Sequence, residues 1–192
     1  GPNVTQGYHQ KPSETAQLFN TTGWLLTGDI GHFDQDGFLF ITDRKKDIFK
    51  TASGKMVAPQ YIERLFNGSP LIEQTYVIGD QRPFCVALLV PSLVEVNAWA
   101  QDIGYLLPQE GRISWGNDKQ IHSLFEKEVE LLNKRLSRHE TIKRFYLCPE
   151  SFEADDLTTP SLKLKRNAAL EAYTHEIASL YGDKSLASKL KS

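Results

Sequence analysis

At 192 residues the chain is long enough to bury one proper core, and more than one small domain would strain it. With 40% apolar and 24% charged residues, its composition is that of an ordinary globular protein. Lys and Arg number 22 against 24 Asp and Glu, and this net charge of −2 argues against a general nucleic-acid binder, which carries a basic excess to neutralise phosphates.

The opening, Gly1-Pro2-Asn3-Val4, has no initiator methionine and reads as the interior of a longer protein. Residues 1–22 read as a turn and a short helix, with Ser13 as N-cap and Gly23 as stop. Residues 24–42 read as a β-meander. In it, 24–27 form one strand, and 32–34 and 38–42 flank the turn Asp34-Gln35-Asp36-Gly37, whose glycine accepts the positive φ a hairpin needs. Tyr8, Trp24 and Phe38 are expected in the core. Asp43-Arg44-Lys45-Lys46 is expected outside any core, as a solvated connector.

A short strand follows at 48–51, and Pro59 opens a helix that runs to 66. Residues 72–78 and 84–90 read as strands joined by a turn, 93–103 as a helix and 104–116 as a loop. Ile121, Leu124, Phe125, Val129, Leu132 and Leu136 mark one buried face of a helix over 118–137. A strand at 142–147, a polar loop at 149–162 and a terminal helix at 164–180 complete the pattern. The class is α+β: a small lobe of mixed strands and helices over 46–192, preceded by a β-meander within 1–45.

Cys85 and Cys148 lie in apolar segments without metal spacing and read as reduced core thiols of a cytosolic protein. The five histidines show no ligand spacing, so no metal site is expected. No stretch reaches the length of a transmembrane helix, and no signal peptide opens the chain.

Three places carry candidate chemistry. Asp29 follows a glycine at the end of an apolar run, where a carboxylate can accept hydrogen bonds from two adjacent hydroxyls, as in ribose binding. A turn aspartate bonding its own backbone explains it as well. Arg44 offers a fork of donors suited to ribose oxygen or phosphate, although it and Lys46 also fit a solvated charge run. Lys163, Lys165 and Arg166 put three cations in four positions near a helix start. Cations are mildly unfavourable there, which points to an anionic ligand; the alternative is a basic helix terminus.

The blocks Gly23-Trp24-Leu25-Leu26-Thr27-Gly28-Asp29, Asp43-Arg44-Lys45-Lys46-Asp47, Gly54-Lys55-Met56-Val57-Ala58-Pro59-Gln60 and Thr159-Pro160-Ser161-Leu162-Lys163-Leu164-Lys165-Arg166, in this order, resemble the AMP-forming acyl-activating enzymes. That family includes acyl-CoA synthetases, peptide-synthetase adenylation domains and firefly luciferase; the wording is most similar to the long-chain fatty acyl-CoA synthetase branch. The resemblance implies that residues 1–45 are the tail of a large adenylating domain and 46–192 its C-terminal lid. It further implies that Asp29 binds the ATP ribose, that Arg44 contacts the nucleotide and that Lys46 is the hinge. The Gly54 turn would approach the pantetheine arm of CoA, where a thin tunnel leaves no space for a Cβ; a plain strand-to-helix turn explains this glycine nearly as well.

Lys163 is implied as the catalytic residue, its ammonium screening the repulsion between a carboxylate and the α-phosphate of ATP. In the family this lysine follows a glycine, whereas Leu162 precedes it here. That leaves Lys165 as a competitor, and the register of the basic pair favours Lys163. The intact enzyme would adenylate a fatty acid with ATP, release pyrophosphate and pass the acyl group to CoA. The phosphate loop, acyl pocket and Mg²⁺ ligands are expected upstream, so this segment alone is expected to be inactive. The expected partners are fatty acid, ATP, CoA and the N-terminal domain of the same polypeptide, in the cytoplasm, with peripheral membrane contact left open. The competing readings are a peptide-synthetase adenylation domain and a non-catalytic, nucleotide-responsive interaction module.

Overall fold

A computed structural model describes residues 1–109, 111–161 and 163–182. The chain divides into two compact units, Gly1–Ile48 and Phe49–Ser192.

In the first unit, helix α1 (Pro12–Ala16) has proline in its first turn and Lys11, not Ser13, at its N-cap. Residues 24–27 form no strand. A single bridge joins Phe19 to Leu25, and Asn20 Oδ1 accepts from the backbone N–H groups of Thr22 and Trp24. These local bonds satisfy the backbone in place of a ladder. Strands β1 (Asp29–Phe33) and β2 (Leu39–Arg44) make an antiparallel hairpin. Asp34 Oδ1 organises its turn by accepting from Asp36 N and Phe38 N.

The β1/β2 register slips by one residue between Ile30 and Gly31. A Cβ on Gly31 would stand 2.5 Å from the Phe40 carbonyl oxygen, so only glycine lets the strands approach this closely. Two strands and one helical turn bury little. Tyr8, Trp24 and Phe38, expected in a core, are instead 56%, 74% and 67% exposed. Asp43 corrects the opposite expectation. It is buried, and its Oδ1 accepts the Arg44 N–H at 2.6 Å.

The second unit opens with a two-residue ladder between β3 (Phe49–Lys50) and β4 (Met56–Val57). Its main sheet has the order β5 (Ile72–Ile78), β6 (Cys85–Pro91), β7 (Ile142–Leu147), antiparallel and then parallel. Strand β6 is central and buried throughout, hence its unbroken apolar run. Cys85, Ala87 and Leu89 face one core, built with Ile62, Phe66, Val96, Trp115, Ile121 and Phe125. Val86, Leu88 and Val90 face a second core, with Tyr76, Cys148, Phe152, Leu157 and Tyr173.

Helices α2 (Pro59–Asn67), α3 (Leu93–Asp102), α4 (Arg112–Trp115) and α5 (Lys119–Asn133) supply the first core. The last three, with their loops, form the long connection that a parallel β6/β7 pair requires. Helices α6 (Arg166–Ala172) and α7 (Thr174–Tyr181) supply the second.

Three expectations are corrected here. The loop at 104–116 contains α4. The loop at 149–162 is not wholly polar, since Phe152 and Leu157 anchor it in the second core. The terminal helix is broken at Tyr173, where the buried phenol donates to Asp155 Oδ2 at 2.7 Å and Thr174 Oγ1 donates back to the Leu170 carbonyl at 2.8 Å, a bond that bends helices.

Candidate functional site

In the first unit, Asp29 and Arg44 are cross-strand partners. Arg44 Nε stands 3.3 Å from Asp29 Oδ1, with the guanidinium side chain 59% exposed and the carboxylate side chain 29%. The register slip sets Arg44 opposite Asp29, a device by which bulges re-aim side chains. Asp29 N donates to Thr27 Oγ1 and Lys45 N to the Gly28 carbonyl, so the carboxylate starts its strand from a bonded turn. An exposed pair of this kind adds about 0–1 kcal/mol to stability. Its oxygens and N–H groups remain open to a ligand such as a diol. Lys46 is exposed in the turn that follows, which Asp47 N and Ile48 N close onto the Arg44 carbonyl.

In the second unit, Gly54 sits at the tip of the β3–β4 turn with φ +78°. A Cβ there would meet nothing within 4 Å, so this chain needs glycine for backbone conformation and not for space. Thr51 Oγ1 spans the turn, accepting from Lys55 N and pairing with Ser53 Oγ.

Lys163 lies on an arm folded as a small hairpin. Thr158 bridges Leu164. Thr159 N donates to the Lys163 carbonyl at 2.8 Å, and Lys165 N to the Leu157 carbonyl at 2.7 Å. Lys163 N donates to Thr159 Oγ1 at 3.1 Å, and that hydroxyl also pairs with Ser161 Oγ. The Lys163 side chain is exposed, and among the described residues its ammonium makes no hydrogen bond or ion pair. The neighbouring cations are engaged. Lys165 Nζ binds the Asp156 carbonyl at 3.0 Å and its carboxylate at 3.1 Å. Arg166 Nη2 binds Glu63 Oε2 at 2.7 Å and stacks over the Tyr76 ring. Burial pushes the Tyr76 phenol up to about 12, against the opposing pull of Arg166.

Sequence reading missed Thr159, Gln74 and Glu63. Only Thr159 carried a signal, as a hydroxyl next to a turn proline. Glu63 and Gln74 meet the arm across 103 and 79 positions of chain, where no local pattern reaches. Among the described residues no group of three His, Cys, Asp or Glu side chains could hold a metal ion, and no helix is long and apolar enough to cross a membrane.

The second unit is thus a three-stranded mixed sheet between two helical layers, with Lys163 on a bonded arm. The chain can be aligned with the adenylation domain of a carboxylate reductase from Mycobacterium chelonae at a TM-score of 0.70 and 26% identity, covering 92% of this chain and 26% of that one. The A domain of a carboxylic acid reductase from Segniliparus rugosus, solved with AMP and a co-purified carboxylic acid, gives 0.72 at 23% identity, covering 93% and 26%; it bears on the fold alone. Residues 46–185 match the family described as AMP-binding enzyme C-terminal domain, and the chain belongs to that family.

Among curated proteins, long-chain-fatty-acid–CoA ligase 1 of Homo sapiens is 37% identical over 186 residues, covering 94% of this chain and 26% of that protein. The ligase FadD15 of Mycobacterium tuberculosis is 35% identical over 182 residues, covering 93% and 30%. The chain thus spans less than a third of the length of these relatives.

Proposed function

We propose that this chain is the C-terminal part of an AMP-forming long-chain fatty acid–CoA ligase. In this reading Lys163 supplies the cation of the adenylation step. The observation that carries it is the contrast among three adjacent cations: Lys165 is held by Asp156 and Arg166 by Glu63, while the Lys163 ammonium is unengaged among the described residues on a backbone-bonded arm. An ammonium carried on a bonded backbone and left without an internal counter-ion among the described residues suits charge that develops on a substrate.

The fatty acid carboxylate attacks the α-phosphorus of ATP, the acyl–phosphate bond forms and pyrophosphate leaves. Lys163 neutralises the charge shared by the carboxylate and the phosphate oxygens. Asp29 accepts from the two ribose hydroxyls, and Arg44, paired with it across the hairpin, orients that carboxylate and lends N–H donors to the nucleotide. Lys46 is the hinge residue, at the turn two positions before the first unit ends. The Gly54 turn receives the pantetheine arm when the CoA thiol displaces AMP. Magnesium would accompany ATP and take its ligands from outside this chain, as would the acyl pocket.

The exposed Trp24, Phe33, Phe38 and Phe40 of the first unit support its membership of a larger domain, whose apolar surface would cover them. Two buried free thiols suit a reducing cytoplasm. In the full-length ligase, Lys163→Ala is expected to slow acyl-adenylate formation by about 10²–10³, read as pyrophosphate release with a long-chain fatty acid and ATP. Lys165→Ala should cost far less. An unchanged rate in Lys163→Ala would overturn this assignment, in favour of Lys165 if Lys165→Ala is slow and of a non-catalytic, nucleotide-responsive lobe if neither variant is.

A further inference from the structure

Both roots of the lysine arm are gripped from one face of strand β5 and from helix α2. At the N-terminal root, Gln74 on β5 uses its whole amide. Its Oε1 accepts from Phe152 N at 2.8 Å, and its Nε2 donates to Glu153 Oε1 and Oε2 at 2.7 and 2.6 Å. Two residues on along the strand, on the same face, Tyr76 donates its hydroxyl to the Arg166 carbonyl at 3.1 Å. At that C-terminal root, Glu63 of α2 divides its carboxylate. Oε1 accepts from Val77 N at 3.0 Å and Oε2 from Arg166 Nη2 at 2.7 Å. Phe152 and Leu157 are buried between these grips.

Among the described residues, the tip of the segment between the roots carries only exposed or half-buried side chains, yet the segment is held at both ends by directional bonds. A flexible segment would have to be ordered anew in each catalytic cycle. Here the ordering is done by the fold, and misplacement by 1 Å can cost on the order of 10²-fold in rate.

We propose that Gln74 and Glu63 are positioning residues for the adenylation step, acting through the placement of Lys163. This rests on the assignment of Lys163 made above. Neither residue is assigned a contact with substrate. Their effect should therefore fall on the half-reaction that uses Lys163 and spare the other.

The test uses the full-length ligase and measures two half-reactions separately: pyrophosphate release from fatty acid and ATP, and thioester formation from preformed acyl-adenylate and CoA. Gln74→Ala is expected to lower the adenylation kcat about 10-fold, with the KM for ATP and the thioester step each within about twofold. In a Lys163→Ala background, Gln74→Ala should add less than about twofold, because two residues acting as a unit are not additive. Glu63→Gln should behave alike, more weakly, since its amide still accepts one bond. Should Gln74→Ala misfold, Glu153→Ala removes the Nε2 half of the same grip from an exposed side chain and leaves the Phe152 N bond, with about 3-fold expected.

Equal loss in both half-reactions, no loss in adenylation, or full additivity with Lys163→Ala would each overturn the positioning role while Lys163 stands. A Lys163→Ala enzyme of normal adenylation rate overturns both assignments at once.

Discussion

In the role proposed for them, Asp29 and Arg44 join a small stabilising energy to a larger functional one. Their cross-strand contact is mostly solvated, so screening leaves it about 0–1 kcal/mol. A carboxylate that accepts from ligand hydroxyls is worth more, roughly 1.5–3 kcal/mol per charged hydrogen bond. Asp29→Asn in the full-length enzyme should therefore leave the unfolding midpoint within a degree or two and weaken ATP binding by about 10- to 100-fold. Isothermal titration together with a thermal melt checks both halves of that expectation. A large drop in melting temperature would instead mark Asp29 as a turn residue. Lys163 follows the same logic one step further, as a cation unengaged among the described residues that contributes little to the fold.

Among the elements, α5 is the best specified. Asp118 caps it, accepting from Gln120 N at 2.9 Å and Ile121 N at 3.0 Å, and also takes the Tyr105 hydroxyl at 2.6 Å. Asp118→Ala should cost about 1–2 kcal/mol, measured as a fall in the urea midpoint with an unchanged m-value. Such elements were legible in the residues themselves: the spacing of Ile121, Phe125, Val129 and Leu132, and the all-apolar β6, each state a local rule that the fold obeys. What was not legible depends on distant partners. The break at Tyr173 answers to Asp155, 18 positions earlier. The missing strand at 24–27 yields to Asn20, whose side chain competes with a ladder. Buried Asp43 lies inside a run of charges that reads as solvated. For the site, sequence blocks named Asp29, Arg44, Gly54 and Lys163 one at a time. The grips of Gln74 and Glu63 on the arm exist only once the sheet has formed.

Over the whole molecule, the contrast lies between a second unit with two full cores and a first unit whose aromatics face outward. The cores also hold the titrating groups that matter at high pH. Burial pushes the Cys85 thiol up to about 11, Cys148 up to about 12 and the Tyr76 phenol up to about 12, and it raises Tyr173 and Tyr181 as well. A raised folded-state value means that the unfolded chain loses these protons first. Stability is then fully present below the ordinary thiol value of about 8.5 and falls as pH rises through 9 towards 12. Each group adds up to about 1.4 kcal/mol per pH unit in that window. Urea midpoints recorded from pH 7 to 11 should be flat and then decline, and both thiols should resist Ellman's reagent until the protein unfolds.

The slip in the β1/β2 ladder also limits how this hairpin can vary. Beyond it, Ile30 pairs with Asp43 and Asp29 with Arg44. Continued from Gly31 and Ile41 without the slip, the ladder would set Thr42 opposite Ile30 and Asp43 opposite Asp29, two like charges where attraction now stands. Removing Thr42 itself would straighten the ladder and leave Asp29 opposite Arg44, whereas pairing Thr42 in register would set the two carboxylates face to face. Arg44, and not Asp43, as the neighbour of Asp29 is what this stretch must keep, whatever its length.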